Sequence, residues 1–200
     1  MATPESKIIV TKPTSEPVTL DEAKYQLRLL ENTDFDVLID SLIISARQTA
    51  ENYTRQYFVR QKWRLYFNCF HDVMNLSPAK VRDVEALQYI DTDGATQTAA
   101  ASLYTLDISG QKVTRAHSQV WPSVRSVVNA VWLDVWVGMY DETASPVDTS
   151  ADIEAPVKQA ILMLVGSMFE QTENDVVGAI VAKPNVNVDY LLRPYWMPNG

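Results

Sequence analysis

Apolar positions recur at two different periods along this chain, and the switch between them divides it. Leu20, Ala23, Leu27 and Leu30 are spaced as one buried face of a helix. Thr19-Leu20-Asp21-Glu22 sets a capping box at its start, with the threonine hydroxyl on the third amide and Glu22 reaching back. After a break at Glu31-Asn32, Thr33 with Asp36 offers a second cap. Phe35, Leu38, Ile39, Leu42, Ile43, Ala46, Ala50, Tyr53 and Tyr57 then mark the apolar face of a longer helix running to about Gln56.

At Arg60 the period falls to two. Trp63, Leu65, Phe67 and Cys69 alternate with Arg64, Tyr66, Asn68 and Phe70, which predicts a strand. Further strands are expected at Val84–Ile90, Tyr104–Ile108, Gln111–Thr114 and Ala130–Val137. Asp91-Thr92-Asp93-Gly94 and Ser109-Gly110 supply the turns. Helical spacing returns after Asp152 or Ile153, with Pro156 in the first turn and Val157, Ala160, Ile161, Leu164, Val165 and Met168 as the buried stripe. Asp175 to Asn185 reads as loop. Val188 to Arg193 makes one or two helical turns before Pro194 stops them.

These elements predict an α+β protein. Its helical bundle has two N-terminal helices, a third long helix and a short C-terminal one, with an antiparallel β region inserted. Residues 1–17 form a flexible arm whose Ile8-Ile9-Val10 patch can pair as an edge strand. Residues 18–58 with 152–193 make the helical core, 59–138 the β region, 139–151 an acidic linker and 194–200 a tail.

Composition narrows the function classes. Of 200 residues 46% are hydrophobic and 21% charged, a globular balance for one domain carrying an insertion. Lys and Arg number 17 against 25 acids, a net charge of −8, which argues against a basic clamp on nucleic acid. The excess is local: Val128 to Ala182 holds nine acids and one base, Lys158. That stretch is either a solvated loop and helix face, or a surface that repels another polyanion or meets a basic partner. No apolar run approaches the roughly 18 residues that span a bilayer, and MATPESKIIV lacks the basic-then-apolar order of a signal peptide. A cytoplasmic site of synthesis and no membrane partner are therefore expected.

Catalytic material is thin. Cys69 is the single cysteine, and its place in an alternating strand predicts a small buried hydrophobe. His71 beside Asp72 would need a nucleophile and oxyanion donors that no motif supplies. His117 reads as a surface residue. Asp141-Glu142 sits in a polar linker with nothing to shift a pKa. No GxGxxG or GxxxxGK[ST] occurs, and Asp91 to Gly94 lacks the remaining ligands of a calcium loop. We nominate no catalytic, cofactor or metal residue; a small hydrolase using His71 is the weakest alternative. Tyr195-Trp196, at an end with little core to fill, reads as a partner anchor.

Taken in order, these segments resemble the head–tail connector (adaptor, or head-completion) proteins of tailed phages and related gene-transfer particles, in their longer form. The matching residues are Val18-Thr19-Leu20, Glu22-Ala23-Lys24, Leu27-Arg28, Asp36, Leu38-Ile39, Leu42-Ile43, Ala46-Arg47, Glu51, Tyr53 and Thr54. Gln61, Trp63, Val84, Tyr89-Ile90-Asp91, Asp93-Gly94 and Trp121-Pro122 follow in the β region, then Pro156 to Ile161 and Leu191 to Tyr195. The resemblance implies a structural ring of twelve copies in the virion neck, under the portal protein. Such a ring extends the DNA channel without gripping the genome and carries a stopper or tail-completion protein on its other side. Another neck or packaging-accessory protein is the alternative. On this reading Tyr190, Leu191, Leu192, Arg193, Pro194, Tyr195, Trp196 and Met197 bind the portal, and Glu170, Glu173 and Asp175 face the channel.

Overall fold

The computed structural model describes residues 2–76, 81–139, 153–173 and 186–197. Among them are four α-helices and two antiparallel sheets, an α+β architecture. The chain divides into two units, one of Met1–Pro13 with Arg60–Gly138, the other of Thr14–Val59 with Met139–Pro198.

The helical unit opens with α1 (Leu20–Leu27), and its predicted capping box forms. Glu22 N donates to Thr19 Oγ1 at 3.2 Å while Thr19 N donates to Glu22 Oε2 at 2.8 Å. Thr19→Ala should cost about 1 kcal/mol of helical-unit stability; an unchanged denaturation midpoint would show the cap to be dispensable. The helix is shorter than the apolar spacing predicts. Arg28 adopts a left-handed conformation, its N–H returning to Lys24 and Tyr25 carbonyls, so Leu30 falls beyond the helix and is exposed.

In α2 (Asp36–Thr54) the expected Thr33 cap is absent. Phe35 is the N-cap, and its phenyl ring has no atom that could accept from the first turn; the Asp36 carboxylate instead pairs with the buried Lys24 ammonium of α1 at 2.8 Å. Arg55, again left-handed, ends the helix before Gln56 and Tyr57. α3 (Ala155–Glu173) presents Val157, Ala160, Ile161 and Val165 to a core shared with Ile39, Ile43, Ala46 and Ala50 of α2, and Phe35 meets Phe169 edge-on at 5.5 Å. Each of these valines and isoleucines contributes about 1.5–3 kcal/mol by burial. α4 (Val186–Leu192) closes the unit, followed by a 3-10 turn at Arg193–Tyr195. Pro194 therefore sits inside the turn, where a missing N–H is harmless, rather than ending all helical structure.

The β unit is built on a five-stranded sheet in the order β1-β2-β8-β4-β5: β1 (Ser6–Thr11), β2 (Gln61–Phe67), β8 (Val131–Val137), β4 (Val81–Ile90) and β5 (Thr96–Thr98). A three-stranded sheet joins β3 (Val73–Asn75), β7 (Lys112–Arg115) and β6 (Tyr104–Asp107) in the order β3-β7-β6. The register aligns Leu65, Leu133 and Leu87 across the middle of the larger sheet, all buried. The Asp91 turn forms as expected: its Oδ1 accepts from Asp93 N and Ala95 N, and Gly94 takes φ +92°. β3 and β5, three residues each, were not predictable, since so short a run shows no alternation.

Cys69 is exposed, not buried. Pairing with β8 stops at Phe67, and the Asn68 side chain turns to accept from Asn129 N at 3.0 Å, so Cys69 leaves the strand.

Candidate assembly surfaces

The C-terminal segment is fixed to the helical unit by both apolar and polar contacts. At helical spacing, Val188 and Leu192 turn the same side of α4 into the core, where both are buried. Tyr53, on α2, donates its hydroxyl to Asp189, and Gln56 donates its side-chain amide to the Tyr195 carbonyl. Tyr195 donates its hydroxyl to Glu154 at 2.5 Å, just ahead of α3, and Met197 N donates to the Thr54 carbonyl at 3.0 Å. Burial first, and the Glu154 carboxylate second, push the Tyr195 phenol up to about 12, so it remains a donor at neutral pH.

Of the eight residues read from sequence as portal-binding, the structure divides inward from outward. Leu192 is spent on the core, and Leu191, Tyr195 and Met197 are half-buried. Tyr190, Arg193, Pro194 and Trp196 are exposed; Tyr190 keeps 66% and Trp196 47% of its surface. The Arg55 guanidinium lies 5.5 Å from the Trp196 ring centre, a cation–aromatic contact that orients the indole. The outward side chains thus form an aromatic and cationic patch on a segment whose inward side chains anchor it.

The acidic residues are scattered differently from the sequence expectation. Glu170 is exposed near the end of α3. Glu173 closes that helix, with its side chain outside the described residues, as is Asp175 and as is the acidic linker. Asp134 is not a surface charge at all. It is buried in β8 and takes a two-pronged ion pair from Arg64, at 2.6 Å and 2.9 Å, with Lys62 at 3.9 Å. Lys62 reaches Glu85 at 2.8 Å, and Trp136 donates its indole N–H to the same carboxylate. The Asp134 hydrogen bonds outweigh burial and raise the Arg64 pKa further. Lys62 and Arg64 are thus both matched by carboxylates within the sheet.

The thiol and imidazole weighed for catalysis meet at 3.5 Å, Cys69 Sγ to His71 Nε2, and both residues are exposed. His71 otherwise uses its carbonyl, which accepts from the Trp121 indole at 3.2 Å. Among the described residues no group of three His, Cys, Asp or Glu is placed to hold a metal ion, and no helix is long and apolar enough to cross a membrane.

The model of the phage gp6-like head-tail connector protein family matches residues 17–105. Over nearly its whole length the chain shares its fold with chains of gene transfer agent particles. One comes from the neck of an empty gene transfer agent particle computed with C6 symmetry, with a TM-score of 0.70 over 98% of this chain and 97% of that one at 19% identity. Another belongs to the virion of a native gene transfer agent particle, at 0.71 over 97% and 96% with 20% identity. A third, from the native neck computed with C12 symmetry, scores 0.65 over 96% and 97% at 16% identity. No curated protein sequence matches the chain significantly.

Proposed function

We propose that this protein is a structural head–tail adaptor. Twelve copies form a ring in the virion neck beneath the portal protein, assembled in the host cytoplasm. The ring prolongs the DNA channel and carries the stopper or tail-completion protein on its far side. The observation that carries the reading is the fold match over nearly the full length of both chains, to chains from two gene transfer agent neck structures and one of the whole virion. The connector-family match over residues 17–105 supports it from sequence alone. Mixing the purified protein with its portal and imaging the complex tests it. A ring of copies seated coaxially on the portal is the expected result; binding without ring symmetry, or none, would reject the role.

The portal contact is assigned to the outward side chains of the C-terminal segment. Tyr190→Ala with Trp196→Ala should weaken portal binding by at least about tenfold, since exposed aromatic anchors are commonly worth more than 1.4 kcal/mol each. Helix content and thermal midpoint should stay at their original values. Undiminished binding would move the contact elsewhere.

Glu170, Glu173 and Asp175 are assigned to the channel wall, where carboxylates keep the duplex mobile by repelling phosphates. Reversing Glu170, Glu173 and Asp175 to lysine should slow genome exit, most strongly at low ionic strength. Ejection at the original rate would place these residues off the lumen.

A further inference from the structure

The N-terminal arm belongs to the β unit as far as Pro13, and the chain enters the helical unit at Thr14. The arm is tied to the β unit largely through its main chain. β1 lies at the edge of the larger sheet and pairs with β2. Ahead of it, Ala2 N donates to the Val73 carbonyl at 2.9 Å, and the Ala2 carbonyl accepts from Asn75 N at 2.7 Å. One short arm thus laces β3 of the smaller sheet to β2 of the larger. All six residues of β1 are exposed, Ile8, Ile9 and Val10 by 48%, 45% and 44%. Lys7 lies 4.9 Å from the Trp63 ring centre. Releasing the strand breaks ladder bonds and surface contacts, but takes no buried side chain of β1 out of the core and so leaves no cavity there.

The link to the helical unit is short and stiff. Arg47 holds Glu16 at 2.6 Å, so four residues, Lys12-Pro13-Thr14-Ser15, separate β1 from an anchored position. Pro13 and Pro17 restrict the backbone at both ends. Fully extended, the link reaches about 17 Å. A short, stiff link beside a strand that leaves no hole is the condition under which copies exchange that strand. A neighbour's β2 edge has the same sequence, so the arm finds there every contact it makes on its own copy. The arm also carries Lys7 and Lys12 against Glu5, in a chain of net charge −8, which favours its meeting another copy.

We propose that residues 2–13 are an exchanged strand: in the assembled protein the arm of one copy pairs with β2 of the next. Both halves of the contact, the β2 edge and the strand that fills it, belong to this chain and are seen joined. The inference rests on the ring reading above for the neighbour alone. Passed from copy to copy in one direction, the arms join two different surfaces, as a closed ring requires.

The test is a disulfide between register partners. Ser6→Cys with Tyr66→Cys, alongside Cys69→Ser, puts thiols on two residues that face each other across β1 and β2. In the dilute free chain the bridge should close within one copy. In the ring assembled on the portal it should join copies, so that a denaturing gel shows a ladder of covalent multimers and loses most of its monomer band. Monomers alone from the ring, or a ring without the bridge, would overturn the exchange and leave the adaptor role intact. A free chain that fails to close the bridge would deny the β1–β2 pairing and overturn it as well. Where the cysteine pair disturbs folding, a photo-crosslinking phenylalanine derivative in place of the exposed Ile8 reads the same contact. Its crosslinks from the ring should join two chains, with the far end in residues 61–67; crosslinks confined to one chain would refute the exchange. Failure of the unmodified chain to form a ring on its portal would reject the ring reading, and the exchange with it.

Discussion

Replacing Arg47 with alanine should destabilise the helical unit by about 3–5 kcal/mol, the usual cost of leaving a buried charge without its partner. Arg47 and Glu51 are both buried on α2. The guanidinium binds Glu16 through Nε at 2.6 Å and Nη2 at 3.2 Å, and Glu51 through Nη1 at 2.7 Å. Glu51 uses its other oxygen to accept from Phe58 N at 2.9 Å. One cation thus ties the segment ahead of α1 and the segment after α2 to the same helix. Without it, Glu51 remains in the interior with one amide for company.

The loss should depend on pH in a defined direction. Burial pushes the Glu51 carboxyl above its ordinary value, against the lowering effects of Arg47 and the Phe58 amide. A raised carboxyl binds its proton more tightly folded than unfolded. Its contribution is therefore fully present below the unfolded pKa and is lost as pH rises through the folded one. Removing Arg47 raises the carboxyl further, so the gap between Arg47→Ala and the parent should narrow as the solution is acidified from neutral. Helical circular dichroism follows this unit, whereas Trp63, Trp121, Trp132 and Trp136 report on the β unit. A helical transition moved by less than about 1 kcal/mol would remove the clamp from the account. So would a gap that widens in acid.

The second large effect is expected at Leu192. Its side chain is 1% exposed, packed with Val157, Ile161 and Val188 in the helical core. Leu192→Ala should cost about 2–5 kcal/mol, the transfer of a leucine side chain plus the cavity it leaves. The same helical transition measures it. A cost near zero would mean that the C-terminal segment does not complete the core. The contrast with Tyr190 and Trp196 is the informative part. Those two should change binding at constant stability, whereas Leu192 should change stability first. Cutting the chain before Tyr190 mixes the two effects, because it opens the core as it removes the patch.

Local features were legible in the sequence and distant ones were not. The α1 cap follows from four consecutive residues, and the turn at Asp91 from another four. The ends of both N-terminal helices depended instead on Arg28 and Arg55 taking left-handed conformations, which arginine types do not announce. Asp134 looked like one more member of an acidic stretch, because Arg64 stands 70 residues away and only strand register brings them together. Glu16 and Arg47 are 31 apart and equally silent. The aromatic residues of the tail mark it in the sequence as a candidate anchor. Which of its side chains turn inward depends on contacts with Thr54, Gln56 and Glu154 that spacing cannot supply.

Neither unit is a continuous stretch of chain, and this sets an order on synthesis. The β unit needs residues 60–138 and the first thirteen, so β1 must wait for β2 before it has anything to pair with. The helical unit waits longer. α1 and α2 emerge early, but the core they share with α3 and Leu192 is incomplete until residues 153–192 have left the ribosome. The β unit can close first, while a half-built helix pair with apolar surface on display is held beside the exit. The C-terminal segment, to which we assign the portal contact, is then anchored only after the β unit has all its strands.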